Sequence, residues 1–140
     1  SYITTAYWDI KVEDNAFVLM QSENKVIASM HSSATQWKHK FLLEMCFEEG
    51  YINLDGELTS TRSYAPEKLI IGRREFEDIT FAMGKPKESI IYFENDHSWN
   101  LEVDEFINAI NGDGIIKQGN FQDAYETLSL VQRVYENSEI

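Results

Sequence analysis

The spacing of apolar residues changes once along the chain, and this change constrains the fold more than any other feature. Up to residue 94 the apolar side chains fall in short runs with a period of two, which predicts β-strands. From Trp99 they recur every three or four residues, which predicts helices. Strands joined by short turns and followed by helices favour an α+β fold. We expect an open, mostly antiparallel sheet with the two C-terminal helices on one face, formed by residues 1–140 as a single domain.

Seven runs have the composition of strands, because they are rich in β-branched and aromatic residues. They are residues 2–9, 15–22, 25–32, 39–47, 51–55, 67–72 and 89–94. The short Glu23-Asn24 connection predicts a hairpin between the second and third runs. Gly50 is expected to supply a positive φ in the turn before the fifth run. The run FEDITFAM at 76–83 is ambiguous.

Two helices are predicted in the last third of the chain, each with an apolar stripe and a capping residue. Ser98 is the predicted N-cap of the first helix, which Gly112 ends, and Asn120 is the predicted N-cap of the second. The first stripe comprises Val103, Phe106, Ile107 and Ile110, and the second comprises Phe121, Tyr125, Leu128, Val131, Val134 and Tyr135.

Several strands are apolar on both faces, which is more than a sheet covered on one side requires. Examples are Val18 against Phe17 and Leu19 in one strand, and Tyr92 against Ile91 and Phe93 in another. At about 25 cal/mol per Å², leaving a second apolar face in water would forfeit several kcal/mol. We therefore expect a contact surface that includes Phe17, Leu19, Ile91 and Phe93, formed with another subunit or with a missing part of the same polypeptide. The alternative is that these residues lie at a rim or under a loop.

The charge of the chain excludes two classes of partner. There are 12 Lys and Arg residues against 24 Asp and Glu, which gives a formal net charge of −12. A nucleic-acid backbone and an anionic membrane surface would both be repelled. No apolar run approaches the roughly 20 residues that span a bilayer.

The single cysteine and the first residues suggest where the chain belongs. Cys46 lies in the apolar run FLLEMCF and is expected to pack in a strand; one cysteine forms no internal disulfide, which favours a reducing, cytoplasmic location. The opening SYITTAYWDI has no features of a signal peptide, and a chain that opens on Ser within a strand suggests a piece of a longer polypeptide.

No self-sufficient catalytic or metal-binding motif is present. His31, His39 and His97 lack zinc-ligand spacing, and no cysteine pair accompanies them. Asp96-His97-Ser98 has the letters of a catalytic triad, but triad members meet through the fold and not as successive residues. The only G-x-G, at residues 112–114, follows a helix, whereas phosphate-binding loops follow a strand. We therefore assign no catalytic, cofactor-binding or metal residue in this chain.

Read together, the motifs have a family resemblance. The segments YWDIKVEDNAFVLMQSENKVIASMHSS (7–33) and SSATQWKHKFLLEMCFEEGYINLDG (32–56) are followed by SWNLEVDEFINAI (98–110) and NFQDAYETLSLVQRVYENS (120–138). In this order they closely resemble the C-terminal domain of the glucose–fructose oxidoreductase and inositol dehydrogenase family of NAD(P)-dependent enzymes. The resemblance covers nearly all of the chain.

The resemblance implies that the catalytic residues lie outside these 140 residues, in another domain of the same polypeptide. The family pattern has an N-terminal Rossmann domain that binds NAD or NADP, a Glu-Lys-Pro segment with a catalytic lysine, and a helix with a catalytic Asp and His. None of these can be placed here: His31 has the wrong context, and no Glu precedes Lys85-Pro86. The chain alone should therefore bind no cofactor and be inactive.

The resemblance also implies a role for this domain and its partners. It would form one wall of the cleft for a small sugar-like substrate, contact the Rossmann domain of its own chain, and form a dimer or tetramer through the sheet. Trp37 could stack on a sugar while Gln36, Lys38 or His39 bind its hydroxyls or phosphate, or the segment could be buried at a subunit or domain contact. The rival interpretation is a free-standing α+β binding or dimerisation module.

Overall fold

The computed structural model describes residues 1–74 and 87–138, and it contains seven strands and two helices there. The strands are β1 (Tyr2–Thr4), β2 (Asn15–Gln21), β3 (Ile27–Ser33), β4 (Leu42–Phe47), β5 (Gly50–Asp55), β6 (Glu67–Arg73) and β7 (Glu88–Phe93), and the helices are α1 (Ser98–Asn111) and α2 (Phe121–Glu136). The predictions for residues 76–83 and for Lys85-Pro86 lie outside the described residues.

The predicted α+β class and the antiparallel, open arrangement of the strands are confirmed. The strands are divided between two sheets, however, where the sequence suggested one: β1-β2-β3 and β4-β5-β6-β7. The chain forms two compact units, a first unit of residues 1–37 and 105–140 and a second unit of residues 38–104. That residues 1–140 act as a single domain stays a prediction.

Short polar side chains explain why the ladder stops after β3. The Ser33 hydroxyl lies 2.9 Å from the Thr35 hydroxyl and accepts a hydrogen bond from the Thr35 N–H at 3.1 Å. The Ala34 N–H donates to the Asp14 carbonyl at 2.8 Å. The Ala34 bond continues the β2–β3 register by one position, and the Ser33–Thr35 bonds then occupy groups that would otherwise extend the strand. Residues 34–41 connect the two sheets, and β4 begins at Leu42, three residues later than predicted.

The first sheet contains the predicted hairpin. The Ser22 N–H donates to the Val26 carbonyl at 2.9 Å, and the Lys25 N–H donates to the Ser22 carbonyl at 3.0 Å, which closes the turn between β2 and β3. In the resulting register Val18 lies opposite Met30. Val18 is the only buried hydrophobic residue among those that the structure describes, and it is 6% exposed.

The second sheet depends on a close approach of backbone at Gly50. Its φ of 156° is positive as predicted, and a Cβ at this position would lie 2.2 Å from the carbonyl oxygen of Gly72. Gly72 in turn leaves room for the ring of Tyr51, whose hydroxyl donates to the Glu88 carboxylate at 2.5 Å. Tyr51 therefore links β5 to β7 across β6, and this hydrogen bond raises the pKa of the Tyr51 hydroxyl.

The register of the second sheet determines which side chains share a face, since directly opposed residues point the same way. One row runs Leu43, Leu54, Leu69, Ile91 and the next runs Met45, Ile52, Ile71, Ser89. We call this the Ile91 face, and it also includes Phe93 at the end of β7. The opposite face is mixed, with rows Leu42, Asp55, Lys68, Tyr92 and Glu44, Asn53, Ile70, Ile90. The Ile91 face is thus mainly apolar in its central rows, with the charged Glu67 and Arg73 at its ends, and the opposite face is mixed throughout.

The helices begin and end close to the predicted residues. The Asn120 side chain accepts from the N–H groups of Gln122 and Asp123, and the Asp123 side chain accepts from the Asn120 N–H, so the predicted N-cap forms a complete capping box. At α1 the capping group is Asp96 and not Ser98, because the Asp96 carboxylate accepts from both the N–H and the hydroxyl of Ser98. Gly112 follows α1 with a φ of 80°, as expected of a helix C-terminus.

The packing of both helices is incomplete. Within residues 1–74 and 87–138, neither helix contains a buried residue. In the first unit, Leu130 and Val134 of α2 border a cavity of about 630 Å³ that Val18, Met20 and Ala28 also line. Cys46 lies in β4 as predicted, although it is exposed. Neither helix is long and apolar enough to cross a membrane.

Candidate functional site

The four residues predicted to line a cleft or a contact all lie in the connection between β3 and β4. Gln36, Trp37, Lys38 and His39 are exposed. Gln36 and Trp37 belong to the first unit, whereas Lys38 and His39 belong to the second. The surroundings of each pair are therefore described separately.

In the first unit, Trp37 belongs to a small group of aromatic rings. The Tyr7 ring lies edge-on to Trp8 at 4.9 Å and edge-on to Trp37 at 6.3 Å between centroids. The Trp8 indole N–H donates to the Ala34 carbonyl at 2.8 Å, which fixes its ring against the connection. Trp37 itself is 85% exposed, so its ring offers a free apolar face to a sugar or to another protein.

A buried carboxylate holds the backbone that carries two of these rings. Asp14 is 2% exposed, and its two oxygens accept hydrogen bonds from the N–H groups of Ala6 at 2.8 Å, Tyr7 at 2.7 Å and Trp8 at 2.9 Å. These bonds, the one from Ala6 first, hold the pKa of Asp14 well below its usual range. They also end β1 at Thr4, which is why the strand predicted over residues 2–9 is shorter in the structure.

Asn15 and His31 complete this polar cluster. The Asn15 amide nitrogen donates to Asp14 at 3.0 Å and to the Thr35 hydroxyl at 3.1 Å, so its oxygen is left to accept. His31 Nε2 lies 3.2 Å from that oxygen and therefore carries the proton. The His31 ring also stacks on Phe17 at 4.1 Å. His31 thus has a structural role in the sheet.

In the second unit, Lys38 and His39 border a cavity of about 190 Å³. The cavity is lined by Lys38, His39, Lys40, Phe41, Asp55, Gly56, Tyr64, Ala65, Pro66 and Lys68. The His39 ring lies 5.0 Å from the Tyr64 ring at an angle of 55°. Lys68 forms an ion pair with Asp55 at 2.6 Å, and the hydrogen bond to Asp55 raises the pKa of Lys68. This ammonium group therefore stays charged at neutral pH.

Two hydrogen bonds between backbone groups shape that cavity. The Gly56 N–H donates to the Phe41 carbonyl at 2.9 Å, and the Glu57 N–H donates to the Tyr64 carbonyl at 3.1 Å. They bring the segment 64–66 next to the start of β4, so Tyr64 and Lys68 join residues that are distant in sequence. Lys40 adjoins the predicted residues in the sequence, whereas Tyr64 and Lys68 could not be identified from it, because only the fold brings them to the cavity.

The residues predicted for an oligomer contact are all exposed, but they lie in different sheets. Phe17 and Leu19 point to one face of β2, where their cross-strand neighbours include His31 and Ser29. Ile91 and Phe93 belong to the apolar Ile91 face of the second sheet. Ile91 is therefore part of an apolar row that crosses the sheet, whereas Phe17 and Leu19 have polar residues opposite them on β3 and Phe17 has Tyr2 opposite it on β1.

Two observations concern the grouping of metal-ligand side chains and the direction of the strands. Within residues 1–74 and 87–138, no three His, Cys, Asp or Glu side chains are grouped so that they could hold a metal. Every described strand pair is antiparallel, whereas a dinucleotide is bound by parallel βαβ units.

Comparison of the chain with protein-family models, with curated proteins and with solved structures found no match. What the chain does must accordingly be inferred from its own residues, its geometry and the resemblance of its motifs.

Proposed function

We propose that the chain is the C-terminal domain of an NAD(P)-dependent oxidoreductase that acts on a sugar, a sugar derivative or a polyol. In this proposal the domain forms one wall of the substrate cleft and the contact between subunits. The cofactor and the catalytic residues belong to an N-terminal Rossmann domain of the same polypeptide. The isolated chain binds no cofactor and has no activity.

The observation that carries the proposal is the large amount of apolar surface without a partner. An ordinary domain of this size buries roughly 68–70% of the surface of its unfolded chain. Here the Ile91 face is open, Ile91 being 47% exposed, and Val18 is the only buried hydrophobic residue in the described part of the chain. Full burial of a large apolar side chain contributes about 1.5–3 kcal/mol, and covering one that is half exposed contributes about half of that. A domain that contacts both a Rossmann domain and a second subunit has this kind of surface.

The proposed reaction and substrate class come from the resemblance of the motifs to the oxidoreductase family. The exposed ring of Trp37 and the cavity beside His39 are each compatible with binding of a sugar. Sugar-binding sites combine an aromatic face with a few polar groups. Within the second unit alone, the Tyr64 ring provides an aromatic face and Lys38 and His39 provide polar groups.

A second function is favoured by the Ile91 face alone. A free-standing module that dimerises through this face would also leave it uncovered in a single chain. Such a module needs neither a Rossmann domain nor a substrate.

The coding sequence ahead of the Ser1 codon distinguishes the two functions. The proposal expects about 150 in-frame residues there, with a G-x-G-x-x-G motif between a predicted strand and a predicted helix. A stop codon or a start codon directly ahead of Ser1 would contradict the oxidoreductase and support the module. If the longer protein is found, its purified form should oxidise or reduce a sugar or polyol with NAD(P), and the 140-residue chain should not.

A further inference from the structure

The cavity beside His39 has a charge opposite to that of the chain. Its walls contain three lysines, Lys38, Lys40 and Lys68, and one carboxylate, Asp55. With His39 neutral the wall has a formal charge of +2, whereas the whole chain has −12. A small anion in this cavity would be attracted by the positive charge of its wall.

Two of the three ammonium groups are available to a ligand. Lys68 is held by Asp55 at 2.6 Å, which fixes one charge at the wall of the cavity. Lys38 and Lys40 are exposed, and within residues 1–74 and 87–138 neither has an ion-pair or hydrogen-bond partner. Both side chains can therefore turn toward a bound anion without breaking an existing interaction.

The size and the other walls suit a small group. A volume of about 190 Å³ equals roughly six water molecules in the liquid, which is less than a drug-sized ligand fills. The tilted His39 and Tyr64 rings form one wall and add donors, because the Tyr64 hydroxyl and a protonated His39 nitrogen can both donate. Gly56 lies buried at the cavity with its backbone fixed to Phe41.

We propose that Lys38, His39, Lys40, Tyr64 and Lys68 form a binding site for a phosphate or carboxylate group. Identifying this group as part of the substrate, a sugar phosphate or a sugar acid, rests on the proposed function. The binding of the anion itself rests on the geometry of the second unit alone. A concave site of this size favours a small anion over an acidic side chain of another protein.

The experiment titrates four probes into the full 140-residue chain while its amide resonances are followed by NMR. The probes are inorganic phosphate, glucose 6-phosphate, gluconate and glucose. Phosphate should shift the amides of Gly56 and Ala65, which line the cavity, and glucose alone should shift them least. Glucose 6-phosphate against gluconate separates a phosphate site from a carboxylate site.

Two variants test the lysines with the same type of charge change. The double variant Lys38→Gln/Lys40→Gln should weaken phosphate binding by about tenfold or more, because hydrogen bonds to charged groups are the strong ones. Lys87→Gln removes an exposed lysine of the same unit that does not line the cavity, so it should change the affinity by about twofold at most. Both variants change exposed side chains, so the wild-type fold should be retained.

Three results would overturn the proposal. The first is that no probe shifts the cavity amides, and the second is that Lys87→Gln weakens binding as much as the double variant does. The third is that the double variant leaves phosphate binding unchanged but disperses an oligomer, since the lysines would then pair with acidic groups of a second copy. If the chain binds the anion but no Rossmann domain is encoded upstream, the anion site is supported and the proposed function is wrong. If a Rossmann domain is encoded upstream but the chain binds no anion, the proposed function is supported and the anion site is wrong.

Discussion

A single residue, Asp14, determines how a group of aromatic rings on the surface is arranged. Its carboxylate replaces the missing ladder partners of residues 6–8, and so it determines where Tyr7 and Trp8 lie. Since the folded pKa of Asp14 is below its unfolded value, its stabilising contribution is present above about pH 4 and is lost as the pH falls toward the folded pKa.

Replacement of Asp14 should therefore change both stability and its dependence on pH. Asp14→Asn keeps the shape but leaves one acceptor oxygen where two accept now, so the free energy of unfolding should fall at neutral pH. Its loss between about pH 4 and pH 2 should also become smaller than in the wild type. Urea unfolding followed by circular dichroism measures both effects. Asp9→Asn, which removes an exposed carboxylate of the same unit, is the control, and an equal effect of the two changes would contradict this role.

At the scale of elements, the spacing of apolar residues predicted the type of each element better than its first and last residues. The helical stripes, the Asn120 cap and the β2–β3 hairpin follow from local sequence, and the structure confirms them. The end of β1 was missed because the Asp14 carboxylate takes over the N–H groups of residues 6–8, whereas β3 ends within one residue of the prediction. Which backbone N–H groups a side chain can reach depends on the three-dimensional fold. The alternation of apolar and polar residues in the sequence contains no information about these contacts.

Which side chains share a face of the sheet was harder to predict than where the strands lie in the sequence. In β7 both Ile91 and Tyr92 are apolar, so the alternation cannot tell which side is covered. The register resolves it, because Ile91 lies opposite Leu69 and Tyr92 lies opposite Lys68. The lysine-lined cavity also depends on contacts that local sequence does not show. Lys38 and His39 were predicted as site residues, but Tyr64 and Lys68 come from distant segments and could not be assigned to the same site.

The turn into β5 offers a test of backbone approach. Gly50→Ala should lower the free energy of unfolding by about 3 kcal/mol or more, because the new Cβ would lie 2.2 Å from the Gly72 carbonyl oxygen. Gly112→Ala also places Ala at a positive φ but has no atom within 4 Å of the new Cβ, so it should cost only about 1–2 kcal/mol. Urea unfolding of both variants provides the comparison. Equal losses would mean that the dihedral angle alone explains the preference for glycine at residue 50.

At the scale of the whole molecule, the uneven faces of the second sheet determine where a second copy should bind. Sheets pack face to face through apolar side chains about 10 Å apart. The Ile91 face has the apolar row Leu43, Leu54, Leu69, Ile91 across all four strands, and its charged residues Glu67 and Arg73 lie at the two ends of β6, whereas the opposite face includes the Asp55–Lys68 ion pair. A subunit contact through the two central rows of the Ile91 face would bury apolar groups and Ser89, with Glu67 and Arg73 at its ends, whereas one through the middle of the opposite face would bury the Asp55–Lys68 pair and Glu44. We therefore expect the contact to use the Ile91 face.

Adjacent residues of the edge strand β7 provide a matched test of this contact. Ile91→Glu places a carboxylate on the Ile91 face, and burying an unpaired charge there should dissociate the oligomer. Tyr92→Glu makes the same kind of change one residue along, at a position that is 62% exposed and lies opposite Lys68, so it should leave the oligomer intact. Sedimentation velocity should find dimers or larger species for the wild type and for Tyr92→Glu, and monomers for Ile91→Glu. A wild-type chain that sediments as a monomer at high concentration would contradict the contact. Dissociation by Tyr92→Glu alone would assign the contact to the opposite face.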